Sequence, residues 1–365
     1  MSLTPKSKRR LQRILPFGII WCLIGFFVLF IQEAATSHQN LNPNVVITLT
    51  PKVLAFAIIS VTLIGLLVGA VEILWLGKLF NNKSFYKKIF YKLSFYSFFL
   101  IITIIIVYPI AASIELGVPP SNEKVLNKLS NFLISIDFLS TMISIAVSLF
   151  VSLFYSEISY NVGDAVLMNF FTGKYHKPIQ EKRIFLFCDM KSSTTIAEHL
   201  GHIEYFKMLK AYYADFTNAI INHSGAVYQY VGDEIIISWK YEEGIKNNNW
   251  INCFLTMKQD LHKKADWYKD NFGLEPTFKS GFHLGEVTTG EIGTLKKEII
   301  FTGDVLNTTA RIQGLCNSHN VDILISEELI KELKPKHGFK VKSMGITELK
   351  GKEEKMELFT IARSN

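Results

Sequence analysis

RIFLFCDMKSSTT, residues 183–195, changes character twice within a short span. Its first half is a near-continuous run of branched and aromatic side chains, the pattern of a strand buried on both faces. The run closes on an acid, Asp189, and then passes through Lys191, Ser192, Ser193, Thr194 and Thr195, a composition that opens a helix. Apolar residues at helical spacing continue from Thr195 to His223. AVYQYVGDEIIISW, residues 226–239, reads as two strands meeting at a turn around Gly232. A helix over roughly 250–271 follows, then FKSGFHLGEVTTGEIG as a strand in a hairpin with EIIFTG. Another helix begins near Asp304, with a strand at DILIS and two last strands around 339–348 and 355–361. The order β-α-β-β-α-β, with additions, predicts an α+β domain: a ferredoxin-like sandwich of one antiparallel sheet with helices packed on it.

Upstream the texture is different. Four apolar stretches, 14–31, 53–77, 93–112 and 132–155, are each long enough for a helix to cross roughly 30 Å of hydrocarbon. The first exceeds the apolar core of a signal peptide and three more follow, so it is read as retained. The predicted organisation is a four-helix transmembrane region over 1–155, a linking helix over 156–180 ended by Gly173 and Pro178, and a globular domain over 181–362.

The net charge of +7 in a chain of 365 residues first suggests nucleic acid. Its distribution argues otherwise. Residues 1–160 hold 13 basic and 6 acidic side chains, while 161–365 hold 26 of each, so the whole excess lies in the apolar half. The N-terminal tail (Lys6, Lys8, Arg9, Arg10, Arg13) and the second connection (Lys78, Lys83, Lys87, Lys88, Lys92) carry ten bases, against three in the other two connections. Basic flanks stay on the cytoplasmic side, which predicts a multi-pass protein of the cell (inner) membrane with both termini cytoplasmic. The lipid bilayer is then a partner, and no basic patch is left for nucleic acid. Glu72 and Asp137, the ionisable residues within the spans, are placed near the two boundaries, where solvent is reachable. Four scattered Cys (Cys22, Cys188, Cys253, Cys316) make no disulfide framework and read as buried, reduced thiols.

Two carboxylates lie at strand ends, Asp189 in FCDMKSSTT and Asp233 in YVGDEIII. The expected fold sets the first strand beside the central hairpin, so both reach one point. Carboxylates there need solvent, a partner or a cation. Hard oxygen ligands suit Mg²⁺ or Mn²⁺ shared with substrate phosphates. Free N–H groups and the hydroxyls of Ser192, Ser193 and Thr194 at a helix start make a phosphate cradle, although an Asp-x-x-Ser run is also an ordinary N-cap. In TGDVLNTTARIQ, Asn307 and Arg311 stand i, i+4 on one helix face, an amide and a guanidinium suited to a ribose and a phosphoryl group.

FCDMKSSTTIAE, YVGDEIIISW and GDVLNTTARIQ, in this order and approximate spacing, resemble the class III adenylyl and guanylyl cyclases over about 181–362. The resemblance implies that Asp189 and Asp233, with the Met190 carbonyl, hold two divalent ions per site. It implies that Asn307 positions the ribose, Arg311 the α-phosphate and Lys350, in ELKGKEE, the terminal phosphates. It also implies a head-to-tail homodimer in which one chain supplies the metal ligands and the other the Asn and Arg.

The match departs at the purine selectors. Adenine-specific members usually carry Lys and Asp or Thr, and guanine-specific ones Glu and Cys, at positions held here by Gln229 and Ile300. Gln donates or accepts and serves either purine edge; Ile300 only packs, and Thr302 is the nearby polar alternative. The absence of Glu at 229 favours ATP as the nucleoside triphosphate, with a guanylyl cyclase as the alternative. A catalytically silent relative is disfavoured because both acids, the Asn and the Arg are retained.

Overall fold

The computed structural model describes residues 4–36, 45–79, 83–333, 338–349 and 355–363. The chain forms two compact units, Ser7–Met168 and Asn169–Asn365, the second of which also takes in Met1–Lys6.

The first unit is helical: α1 (Pro5–Thr36), α2 (Pro51–Val71), a π-helical turn Glu72–Leu76 that runs into α3 (Gly77–Leu79), α4 (Phe85–Leu116), α5 (Glu123–Leu133) and α6 (Ile136–Val162). Four helical spans, Pro5–Ala34, Pro51–Leu76, Phe85–Leu116 and Ile136–Val162, are long and apolar enough to cross a membrane. The expected fourth stretch, 132–155, is interrupted. The chain turns at Ile134, Ser135 accepts a hydrogen bond from the Phe138 N–H as an N-cap, and α6 starts afresh. The apolar run hides this break because composition does not change across it. Phe17, Trp21, Val68, Tyr96, Leu100, Leu149 and Leu153 form the core of the unit.

Solvent is not the partner of Glu72, contrary to the sequence reading. It is 2% exposed, its Oε1 lies 2.5 Å from Lys92 Nζ, and it accepts a 3.3 Å hydrogen bond from the Tyr96 hydroxyl. Lys88 pairs with Glu157 at 2.6 Å, and Lys92 also reaches Glu157 at 3.8 Å. Two of the lysines counted as boundary anchors therefore neutralise carboxylates between helices.

The linking helix expected over 156–180 is in two pieces, because α6 ends at Gly163, whose φ of 101° favours glycine. Beyond it come α7 (Asp164–Thr172), β1 (Ile179–Met190), α8 (Ser193–Asn222), β2 (Ala226–Val231), β3 (Glu234–Lys240), α9 (Tyr241–Ile245), α10 (Asn249–His262), α11 (Ala265–Phe272), β4 (Phe278–Ile292) and β5 (Glu298–Thr302). The chain closes with α12 (Asp304–Gly314), β6 (Ile323–Ser326), α13 (Glu327–Ile330), β7 (Phe339–Glu348) and β8 (Lys355–Arg363).

The sheet order is β2-β3-β1-β4-β6-β8-β7, with β5 paired to β4. Its first four strands have the ferredoxin-like order expected. The sheet is not wholly antiparallel, however: β4 and β6 run parallel, Gly281 beside Leu324, because α12 carries the chain across between them. Along β1 the side chains alternate between two covered faces. Ile184, Leu186, Cys188 and Met190 join the main core with Tyr212, Phe216, Trp250 and Phe254 of α8 and α10. Phe185 and Phe187 pack with Ile236 and with Val305 of α12 on the other face. Cys188, Cys253 and Cys316 are buried free thiols as expected, whereas Cys22 is only half-buried.

Candidate active site

Asp189 continues the row of Phe185 and Phe187, so the strand alternation that buries those rings aims the carboxylate toward the α12 side of the sheet. Met190 falls on the opposite row and its side chain is 1% exposed, leaving only its backbone to serve the site. In the two neighbouring strands the residues opposite Asp189 are Glu234 of β3 and Lys279 of β4. Lys279 Nζ lies 3.3 Å from Asp189 Oδ2, and Gln313 Nε2 of α12 donates to the same oxygen at 3.2 Å. Asp233 occupies the turn between β2 and β3, where the Tyr213 hydroxyl donates to the Gly232 carbonyl at 2.8 Å and braces it.

The acids sense one another. Burial first, then the hydrogen bond to and the charge of Asp233, hold the Asp189 carboxyl above its ordinary range, and Lys279 opposes the shift. Burial, with Asp189 and Asp233 nearby, pushes Glu234 up to about 7. The Tyr205 hydroxyl is raised by burial and by Asp233. Asp189 and Asp233 are thus gathered at one point, as the sequence predicted.

Ser192 begins α8 with a φ of 56°, and its side chain caps nothing, so the run after Met190 is not an ordinary hydroxyl N-cap. Ser193 and Thr194 form the first turn of the helix. The Lys191 ammonium is engaged by Asp322, which it shares with Lys258. A cavity of about 540 Å³ opens beside this trio and α10, but none of the predicted site residues lines it.

On α12, Val305, Thr308, Thr309, Ile312 and Gln313 are buried, while Asn307 is exposed and Arg311 half-buried. At about 100° per residue, Arg311 lies roughly 200° around the helix from Gln313, and Asn307 only about 40° from Arg311. With Gln313 on Asp189, the Asn and Arg face away from the carboxylates of their own chain. Gln229 lies on β2 just past a bulge and Ile300 on β5. Their neighbours Tyr228 and Phe301 are in ring contact at 4.7 Å, which brings β2 and β5 together on the α12 face of the sheet. Lys350 lies outside the described residues.

Sequence reasoning missed Lys279, Gln313 and Glu234. The two strand residues were readable only from the pairing register, and Gln313 only from the rotation of α12. Among the described residues no three His, Cys, Asp or Glu side chains converge as a self-sufficient metal site. Two carboxylates and a carbonyl, completed by phosphate oxygens, still fit Mg²⁺ or Mn²⁺: every donor is a hard oxygen, and Asp189 already gathers electropositive neighbours.

Residues 175–363 match the family described as the adenylate and guanylate cyclase catalytic domain. The chain belongs to this family, whose members use divalent metal ions. Adenylate cyclase 2 of Rhizobium meliloti (strain 1021) is 32% identical over 200 residues, 55% of this chain and 55% of that protein. The adenylate cyclase of Anabaena cylindrica is 28% identical over 182 residues, 48% of this chain and 36% of its own length. The match therefore spans about half or less of these curated relatives. The crystal structure of the adenylyl cyclase CyaB from P. aeruginosa covers 52% of this chain and 97% of its own, at 16% identity and a TM-score of 0.46.

Proposed function

We propose that the protein is a membrane-bound adenylyl cyclase that converts ATP to 3′,5′-cyclic AMP and pyrophosphate at sites shared between two copies of the chain. One observation carries this reading: Gln313 of α12 faces Asp189, while Asn307 and Arg311 turn away from it on the same helix. Each chain then offers its carboxylates to one site and its Asn and Arg to the other, and a head-to-tail homodimer closes both.

In that site Asp189, Asp233 and the Met190 carbonyl would hold two divalent ions, which when bound lower the pKa of the ribose 3′ hydroxyl and draw charge from the phosphates. Asn307 holds the ribose so that its 3′ oxygen lies in line with the α-phosphorus. Arg311 stabilises the charge that grows on the α-phosphoryl oxygens as the bond to the β-phosphate breaks. The start of α8, with Ser192, Ser193 and Thr194, offers N–H groups and hydroxyls to the polyphosphate. Lys350 is assigned to the terminal phosphates on the family pattern. The chemistry is mostly positioning and charge stabilisation, so it needs no dedicated side-chain base.

Ten bases against three support a cytoplasmic position for the termini, and with them the site, on the side where nucleoside triphosphates are found. Gln229 accommodates adenine, and it also leaves guanine as the second reading. Product analysis with Mn²⁺ and ATP or GTP supplied in parallel tests both. Cyclic AMP and pyrophosphate from ATP are expected, cyclic GMP alone would reassign the purine, and no product from either would overturn the proposal.

A further inference from the structure

The helical unit holds an open-sided cavity of about 370 Å³ walled by α1, α2, α4, Phe132 of α5, α6 and residues 45–49. That volume lies in the range of small-molecule sites. Trp21, Val61 and Ile104 are typical of its apolar lining, and its charged lining among the described residues is acidic: Glu33 and Asp137, with no Lys, Arg or His.

Asp137 differs from the other carboxylates between these helices. Glu72, Glu115 and Glu157 each pair with a lysine at 2.5 to 2.6 Å. Asp137, half-buried on the first turn of α6, has no basic partner among the described residues. The polar groups that continue its stripe ask for no ligand. The Thr141, Ser144 and Ser148 hydroxyls donate to the backbone carbonyls four residues earlier, at 2.8 to 2.9 Å. Aromatic rings close the same end. Tyr108 and Phe132, both lining the cavity, stack at 4.2 Å, and Phe138 meets Phe132 edge-on at 5.7 Å. A carboxylate without a basic partner, at the end of an apolar chamber, is the chemistry that recognises an alkylammonium group.

We propose that this cavity binds a small amphipathic amine, its ammonium held by Asp137 and its apolar part lying between α1, α2 and α4. The ammonium supplies the cation that Asp137 lacks, and the hydrocarbon fills space lined by apolar side chains.

The test is equilibrium binding of radiolabelled decylamine and decanol to the full chain in phosphatidylcholine nanodiscs, with empty nanodiscs as background. Saturable decylamine binding is expected, with decanol at least about tenfold weaker. Asp137→Asn should weaken the amine at least about tenfold and leave decanol unchanged. Ala111→Phe, which keeps the carboxylate but fills the chamber, should remove saturable amine binding and guards against a folding defect in the first variant. Equal binding of amine and alcohol, an unaltered Asp137→Asn, or no saturable binding of the amine would each overturn the proposal. The readout does not involve nucleotide turnover, so its failure leaves the cyclase reading intact.

Discussion

Asp189 has unlike neighbours on its two flanks: Glu234 across β3 and Lys279 across β4. The acid side of this arrangement stores unfavourable energy. Glu234 is raised from its ordinary 4.5 to about 7 by burial and by the two aspartates, so the folded state favours its neutral form. Ionising it begins to weaken the fold above pH 4.5, the penalty grows until about pH 7, and it stays constant beyond. Glu234→Gln abolishes that penalty. In the metal-free protein, held in a chelator, the variant should gain about 1 to 2 kcal/mol over the parent between pH 5 and pH 8, a figure halved for the partial exposure of the group. Thermal unfolding of both proteins at the two pH values measures this, and an equal difference at both would contradict it. The aspartates were legible in the sequence because each ends an apolar run. Lys279 and Gln313 were not, since a residue 90 or 124 positions away becomes a neighbour only through strand register and helix rotation.

Between elements, the site depends on how closely α12 lies on β4. At Gly281 a Cβ would sit 2.4 Å from the Gln313 backbone N and 2.7 Å from its Cα, so only glycine allows this approach. Gly281→Ala should push α12 outward at the point where Gln313 meets Asp189. The expected loss is about 1 to 3 kcal/mol of stability, with a fall in kcat at little change in KM. Unchanged unfolding and kcat would show that α12 tolerates the displacement. Element types were legible from periodicity, as the two covered faces of β1 illustrate. The break at Ile134 and the parallel pairing of β6 were not: one lies inside an unbroken apolar run, and the other is a matter of which strands meet. The Glu72 and Lys92 pairing was hidden for the same reason, since it joins two helices across a connection.

For the molecule as a whole, the proposed function makes activity a property of two chains, since α12 turns Asn307 and Arg311 away from Asp189. Asp189→Ala and Arg311→Ala should each lose about 10²-fold or more in kcat when alone. Mixed dimers of the two variants should regain activity, because one of their two sites is then intact. Verified mixed dimers without recovery would refute the shared site. The uneven charge of the chain is a whole-molecule property too, and it pointed to the bilayer rather than to a nucleic acid.

The lysines that made that charge uneven also constrain how the protein comes together. Taken segment by segment, Glu72 on the π turn after α2 and Glu157 on α6 each bring one negative charge and α4 brings the two positive charges of Lys88 and Lys92, so the charges cancel only when all three segments are together. A helix that entered lipid by itself would carry an uncompensated charge, at a cost of several kcal/mol. Each of the three segments is thus a poor guest in the bilayer until the other two arrive.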